Sequence, residues 1–256
     1  MNLDLGGRAF LVLGATRGLG RAVAEELLSE GARVLVAGRD PDRACRAASE
    51  MGAGAGSVCL DIALPEAPLL AREAVERELG RLDGILISSG GPPAGAALSV
   101  GDEQWLLAYQ LLLGGPLRLL RELVPTFHHP ASVLWVTSSS VRQPIPGLDT
   151  SNALRPGIAA LVKALARDLA PQVRVNSIAP GRFDTDRVRE LDLGRARAAG
   201  IPVDEQREKA QSAIPMGRYG DPRELGRVAA FLLSPAASYV SGISMQVDGG
   251  LVTAVP

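Results

Sequence analysis

The sequence predicts an α/β fold: one domain on a seven-stranded parallel sheet, doubly wound, with helices on both faces. Three observations predict it. Strand-like apolar runs alternate with helical patterns from end to end. Those runs are nearly continuous in apolar residues, as in strands covered on both faces. No internal repeat or low-complexity linker divides the 256 residues.

Taken in order, Ala9–Leu13 is the first strand, and Gly14, Gly18 and Gly20 turn it into a helix over Arg21–Glu30. Val23, Ala24, Leu27 and Leu28 share one face of that helix. Arg33–Ala37 is a second strand and Pro41–Met51 a helix; Ser57–Leu60 is a third strand and Ala67–Leu79 a helix with an outer face of Glu and Arg. Leu82–Ile87 is a fourth strand, followed by a long helix over about 102–124. Ala131–Thr137 is the fifth strand, then comes a second long helix, Ser151–Leu169, and a sixth strand, Val173–Ile178. Pro222–Leu233 is the last helix and Ile243–Val247 the last strand. Pro156 disfavours helical backbone at Arg155 and removes one helical hydrogen bond, so a kink or a late start is expected near residue 155. The polar stretch at about 182–212 breaks the alternation and is expected to form a lid-like insertion over the ligand side of the sheet.

Composition narrows the function. Apolar residues make up 46 % and charged residues 21 %, with a net charge of −1, which argues against nucleic acid or an anionic membrane as the main partner. No apolar run has the roughly 20 residues of a membrane span. No signal peptide is evident, and Cys45 and Cys59 have no metal-ligand spacing; a cytoplasmic, metal-free protein acting on a small molecule is expected. Of 27 basic residues only Lys163 and Lys209 are lysines.

A strand that turns on glycines into a helix N-terminus is an anion site, because backbone N–H groups and the positive end of the dipole face the space above the turn. The spacing here, GxxxGxG over Gly14–Gly20, resembles that of the short-chain dehydrogenase/reductase family. Other segments extend the resemblance. Asp61 ends the third strand, and Ser88-Ser89-Gly90-Gly91 stands where the family reads NNAG. Asn176, Pro180, Gly181 and Thr185 match its N…PG…T segment, and Ser241-Gly242 with Asp248-Gly249-Gly250 its ending. The resemblance implies a Rossmann fold, a dinucleotide cofactor and commonly a homo-oligomer, a tetramer or dimer, assembled through the two long helices, whose Leu117, Leu120, Ile158 and Leu161 would serve either the interface or the core. It assigns cofactor binding to Gly14, Thr16, Arg17, Gly18, Leu19, Gly20, Arg39, Asp61, Ile62, Ser88, Gly90, Arg155, Pro180, Gly181 and Thr185. An acidic residue after the second strand would favour NAD; Arg39 there, with Arg17 in the glycine turn, points to the 2′-phosphate of NADP(H).

The catalytic set departs from the family. Ser138 occupies the family's serine position. The tyrosine and lysine of YxxxK are replaced by Ser151 and Arg155, and the helix asparagine falls on Leu111. The pattern SxxxR resembles a divergent branch close to 3-oxoacyl-acyl-carrier-protein reductases. Ser138, Ser151 and Arg155 are therefore the expected catalytic residues, with Asp149 and Tyr219 as alternative proton donors, although Tyr219 is expected to serve packing. The substrate pocket is expected to be largely apolar, from Pro144, Ile145, Pro146, Leu148 and Phe183. Three functions stay open: an NADP(H)-dependent carbonyl reductase or dehydrogenase, an inactive NADP(H)-binding relative acting as sensor or oligomer partner, and an enzyme of altered chemistry on the same scaffold, such as a lyase- or epimerase-like activity.

Overall fold

The computed structural model describes residues 2–254. Seven parallel strands lie in the order β3-β2-β1-β4-β5-β6-β7: β1 (Ala9–Leu13), β2 (Arg33–Gly38), β3 (Ala55–Cys59), β4 (Leu82–Ile87), β5 (Phe127–Val136), β6 (Val173–Pro180) and β7 (Ser244–Val247). The order reverses between β1 and β4, which opens a crevice above the carboxyl ends of the strands there.

Strand periodicity divides the core in two. Ala9, Leu11 and Leu13 of β1 point to one face with Val133 and Trp135 of β5; Phe10 and Val12 point to the other with Leu134 and Val136. The first face is covered by α3 (Ala67–Glu78), α5 (Gly115–Leu123) and α6 (Asp149–Asp168). The second is covered by α1 (Gly18–Ser29), α2 (Pro41–Met51) and α9 (Pro222–Leu233). Both faces of each central strand are thus dry, which is why the runs read as continuous rather than alternating.

Two expectations about the long helices are corrected. The first is not one helix: α4 (Asp102–Tyr109) passes through a single π turn over Gln110–Gly114 into α5. At Gly115 a side chain would overlap the carbonyl of Ile62, so the helix can approach the loop after β3 only there, and Arg118 fastens the two by donating to Gln110 Oε1 at 2.7 Å and the Ala63 carbonyl at 3.1 Å. The second long helix starts neither late nor in pieces. It is unbroken from Asp149 to Asp168 with Pro156 inside. Its first turns are tied to the rest of the protein: Thr150 Oγ1 donates to the Pro93 carbonyl (2.6 Å), Asn152 exchanges two bonds of 2.9 Å with the Ile145 backbone, and Asp149 accepts from Ala97 N. Pro156 faces solvent, and its cost of about 3 kcal/mol is offset by these anchors.

The 182–212 stretch folds as α7 (Asp186–Ala199) and α8 (Val203–Ser212). A buried cluster pins it: Arg182 pairs with Asp192, whose other oxygen accepts from Tyr219 Oη at 2.8 Å. Among the described residues no helix is long and apolar enough to cross a membrane.

Candidate active site

A cavity of about 390 Å³ opens at the reversal point, within the range of small-ligand sites. Its walls come from the segments that follow six strands in turn: Gly14 to Gly20, Gly38-Arg39, Leu60 with Ile62, Ser88 to Gly91, Val136-Thr137, and Pro180 to Thr185 with the start of α7. Gly14 has φ +64 and its Cα lies against the carbonyl of Ser88, so no L side chain fits there. That contact brings the β1 and β4 turns together as one floor.

The glycine turn brings the N-terminus of α1 to this cavity. Arg17 is the N-cap of α1 and makes no side-chain cap, and the first turn holds no acidic residue. Gly18, Leu19 and Gly20 therefore present uncapped backbone N–H groups to the cavity. Arg17 and Arg39 both line it; Arg17 reaches Asp186 at 3.8 Å, an exposed and weak pair. This end of the cavity fits a pyrophosphate with an additional phosphate.

Of the residues expected at the cofactor, Gly14, Thr16, Arg17, Gly18, Leu19, Gly20, Arg39, Ile62, Ser88, Gly90, Arg155, Pro180, Gly181 and Thr185 line the cavity. Asp61 does not: its carboxylate accepts from Ala63 N at 3.0 Å and shapes the turn after β3. Of the catalytic set only Arg155 lines the cavity. The residue is 7 % exposed, its guanidinium donating to the carbonyls of Val136 (3.0 Å) and Gly90 (3.1 Å), with Nε unpartnered. Burial, and secondly the charge of Arg187, lower its pKa to about 10. Ser151 lies behind the wall, buried, its Oγ 3.0 Å from Ser140 Oγ. Ser138 Oγ accepts from Ser140 N at 3.1 Å, so three serines form one polar cluster beside the end of β5.

The alternative donors are occupied elsewhere. Tyr219 is 5 % exposed, bonded to Asp192, and has the guanidinium groups of Arg182 and Arg207 each 5.1 Å from its ring centroid. Burial, and then the bond to Asp192, raise its pKa. Asp149 accepts from Ala97 N and from Asn152 Nδ2, both at 2.9 Å, and serves the start of α6. Of the apolar pocket residues expected, Phe183 lines the cavity; Pro144, Ile145, Pro146 and Leu148 do not. Among the lining residues not foreseen in that role, two carry chemistry or shape of their own. Leu111, at the family's asparagine position, is presented by the π turn, and Arg187 projects from α7 towards the turn after β4. Nothing in the sequence separates Arg187 from the other arginines of its polar segment.

The family model described as Enoyl-(Acyl carrier protein) reductase matches residues 14–252. The chain belongs to the short-chain dehydrogenase/reductase family. Among curated relatives, the 3-oxoacyl-acyl-carrier-protein reductase FabG of Vibrio cholerae is 29 % identical over 254 residues, covering 98 % of this chain and 99 % of the relative. L-sorbose reductase from Gluconobacter frateurii, solved with NADPH and L-sorbose, superposes with a TM-score of 0.94 at 26 % identity and full coverage of both chains. A short-chain oxidoreductase from Pseudomonas aeruginosa PAO1, described as containing an atypical catalytic center, superposes at 0.89 with 28 % identity, covering 98 % of this chain and all of that one.

Proposed function

We propose that this protein is an NADP(H)-dependent oxidoreductase that moves a hydride between the cofactor and a carbonyl or hydroxyl carbon, with a proton route that does not use tyrosine. The carrying observation is the cavity itself: an uncapped helix N-terminus, two arginines for a 2′-phosphate, and a buried arginine where the strand ends meet. The NADPH-bound sorbose reductase supports the cofactor, and the curated FabG relative supports a 3-oxoacyl thioester or related ketone as substrate. The atypical relative supports a changed catalytic set.

When bound, NADP(H) supplies or accepts the hydride. The chain's own residues do the rest. Gly18 to Gly20 bind the pyrophosphate, and Arg17 and Arg39 the additional phosphate. Arg155 places fixed positive charge beside the oxygen on which negative charge develops, where low dielectric makes it effective. Ser138 stands beside the cavity wall at the end of β5, its Oγ fixed by the Ser140 N–H. The proton then comes from water in the cavity. Two observations favour the second reading, a binding protein without turnover: Ser151 Oγ is tied to Ser140, and no tyrosine lines the cavity. Assembly into a homo-oligomer is proposed from the family and from Leu106, Leu107 and Tyr109 of α4 and its end, all exposed; Leu120 and Ile158 belong to the monomer's core. Light scattering giving a monomer mass would contradict it.

The test is NADPH consumption by wild type and by Ser151→Tyr/Arg155→Lys with a panel of ketones and 3-oxoacyl thioesters, beside a fluorescence titration of NADPH. Turnover by wild type supports the reductase. Turnover by the double variant alone, with tight NADPH binding in both, shows that the native protein binds without reacting.

A further inference from the structure

Four arginines line the cavity, Arg17, Arg39, Arg155 and Arg187, against a single acid, Asp186. Asp186 is already engaged by Arg17 at 3.8 Å and Arg189 at 3.1 Å. If Arg17 and Arg39 meet the cofactor's phosphate, two cations are left over. They converge on one turn. Arg155 reaches the Gly90 carbonyl from α6, and Arg187 reaches over Gly91 from α7, its Nη2 3.5 Å from the Pro92 carbonyl. A Cβ on Gly91 would lie 2.8 Å from Arg187 Nε and 2.9 Å from its Nη2, so glycine at 91 is what gives Arg187 its berth. Among the described residues Arg155 has no carboxylate within 4 Å, and Arg187 has only a long 3.9 Å approach to Glu190 on its own helix.

A guanidinium carries five N–H donors. Arg155 spends two on carbonyls, and its buried Nε has no partner. Burying such a charge without a counter-ion is costly, and a second like charge beside it adds to the cost. The Arg187 side chain is 45 % exposed and keeps water, so the unrelieved charge is that of Arg155, and an anion seated between the two would supply its missing counter-ion.

We infer that Arg155 and Arg187 form a carboxylate clamp, and that the substrate is an oxo acid whose free carboxylate lies between the two guanidinium groups. A carboxylate one carbon away from the ketone, as in a 3-oxo acid, places both the reacting oxygen and the anionic head within reach of the pair. A thioester or ester of the same acid lacks that charge. The inference rests on the proposed function for its redox step but not for its binding step.

The experiment therefore measures binding without turnover. Wild-type protein saturated with NADP⁺ is titrated calorimetrically with acetoacetate and with methyl acetoacetate. Acetoacetate binds tighter by about 10-fold or more, as expected for charge-assisted bonds. Arg187→Gln removes that preference and leaves NADP⁺ affinity within about 2-fold. Gly91→Ala, which displaces the same guanidinium, reproduces the loss, so the result does not depend on one variant. Equal affinity for acid and ester overturns the clamp. So does a loss of NADP⁺ binding in Arg187→Gln as large as the loss of acetoacetate binding, which would assign Arg187 to a cofactor phosphate. Failure of NADP⁺ to bind wild type counts against the proposed function instead; the titration is then run on the protein alone, where the same preference supports the clamp and its absence overturns it.

Discussion

Replacing Asp192 by alanine separates the account of α7 and α8 from a picture of loosely attached surface helices. Asp192 is 2 % exposed, pairs with Arg182 (side chain 14 % exposed) and accepts from Tyr219 Oη. Arg195 is half-buried beside them; burial, and then the charge of Arg182, lower its pKa. Removing the carboxylate leaves Arg182 and Arg195 without their counter-charge and Tyr219 without its acceptor. Breaking a buried pair from one side costs about 3–5 kcal/mol. At roughly 2–4 °C per kcal/mol for a domain of this size, thermal unfolding falls by about 6–20 °C. If α7 and α8 detach before the sheet melts, the loss emerges instead as rapid proteolysis within 186–212. The double variant Asp192→Ala/Arg182→Met regains part of the loss, because the uncompensated cation is gone. A deficit below about 1 kcal/mol in both the melt and the proteolysis would refute the reasoning.

Tyr219→Phe removes two hydroxyl bonds, one donated to Asp192 and one accepted from Arg182, and costs about 1–3 kcal/mol, with NADPH turnover unchanged; a collapse of kcat at full folding would restore Tyr219 as the acid. Arg39→Glu lowers NADPH affinity about 10- to 100-fold while NADH binding holds or improves, read by fluorescence titration; an unchanged ratio would contradict the phosphate role. Glu224 accepts from Arg218 and from Asp221 N, and the Arg218 guanidinium first, then that N–H, hold its pKa at about 2. Its folded value is depressed, so its contribution is full above about 4.5, the ordinary value, and is lost as pH falls towards 2. Because both side chains are exposed, the effect is only about 0.5–1 kcal/mol, and Glu224→Gln flattens the acid limb of the stability profile by that amount.

Strand positions and the glycine turn were legible in the sequence because their cause is local: continuous apolar runs for buried parallel strands, and glycine where backbone must approach backbone. The misread elements are those where distant contacts outvote a local rule. Pro156 alone says that a helix should break near 155, but Thr150, Asn152 and Asp149 hold the preceding turns from outside the helix. Gly114-Gly115 lies inside the predicted helix over about 102–124, and no local rule separates the π turn there, which comes with the close approach of Gly115 to the Ile62 carbonyl, from a regular helix. At the site, the family positions placed Arg155 in the cavity wall, while Ser151, expected beside it, points back to Ser140 because a short side chain cannot reach where a phenol would. Arg187 had no such marker; it is one arginine among many in a segment whose others are solvated or paired.

The most direct test of the central claim is isotopic. Reduced NADP carrying deuterium at the transferable position of its nicotinamide is incubated with the protein and a 3-oxo substrate, and the hydroxy product is analysed by mass spectrometry. One deuterium on the new carbinol carbon per cofactor oxidised is the predicted result. Cofactor bound tightly yet recovered unoxidised, or oxidised with no label in the product, would contradict hydride transfer by this chain.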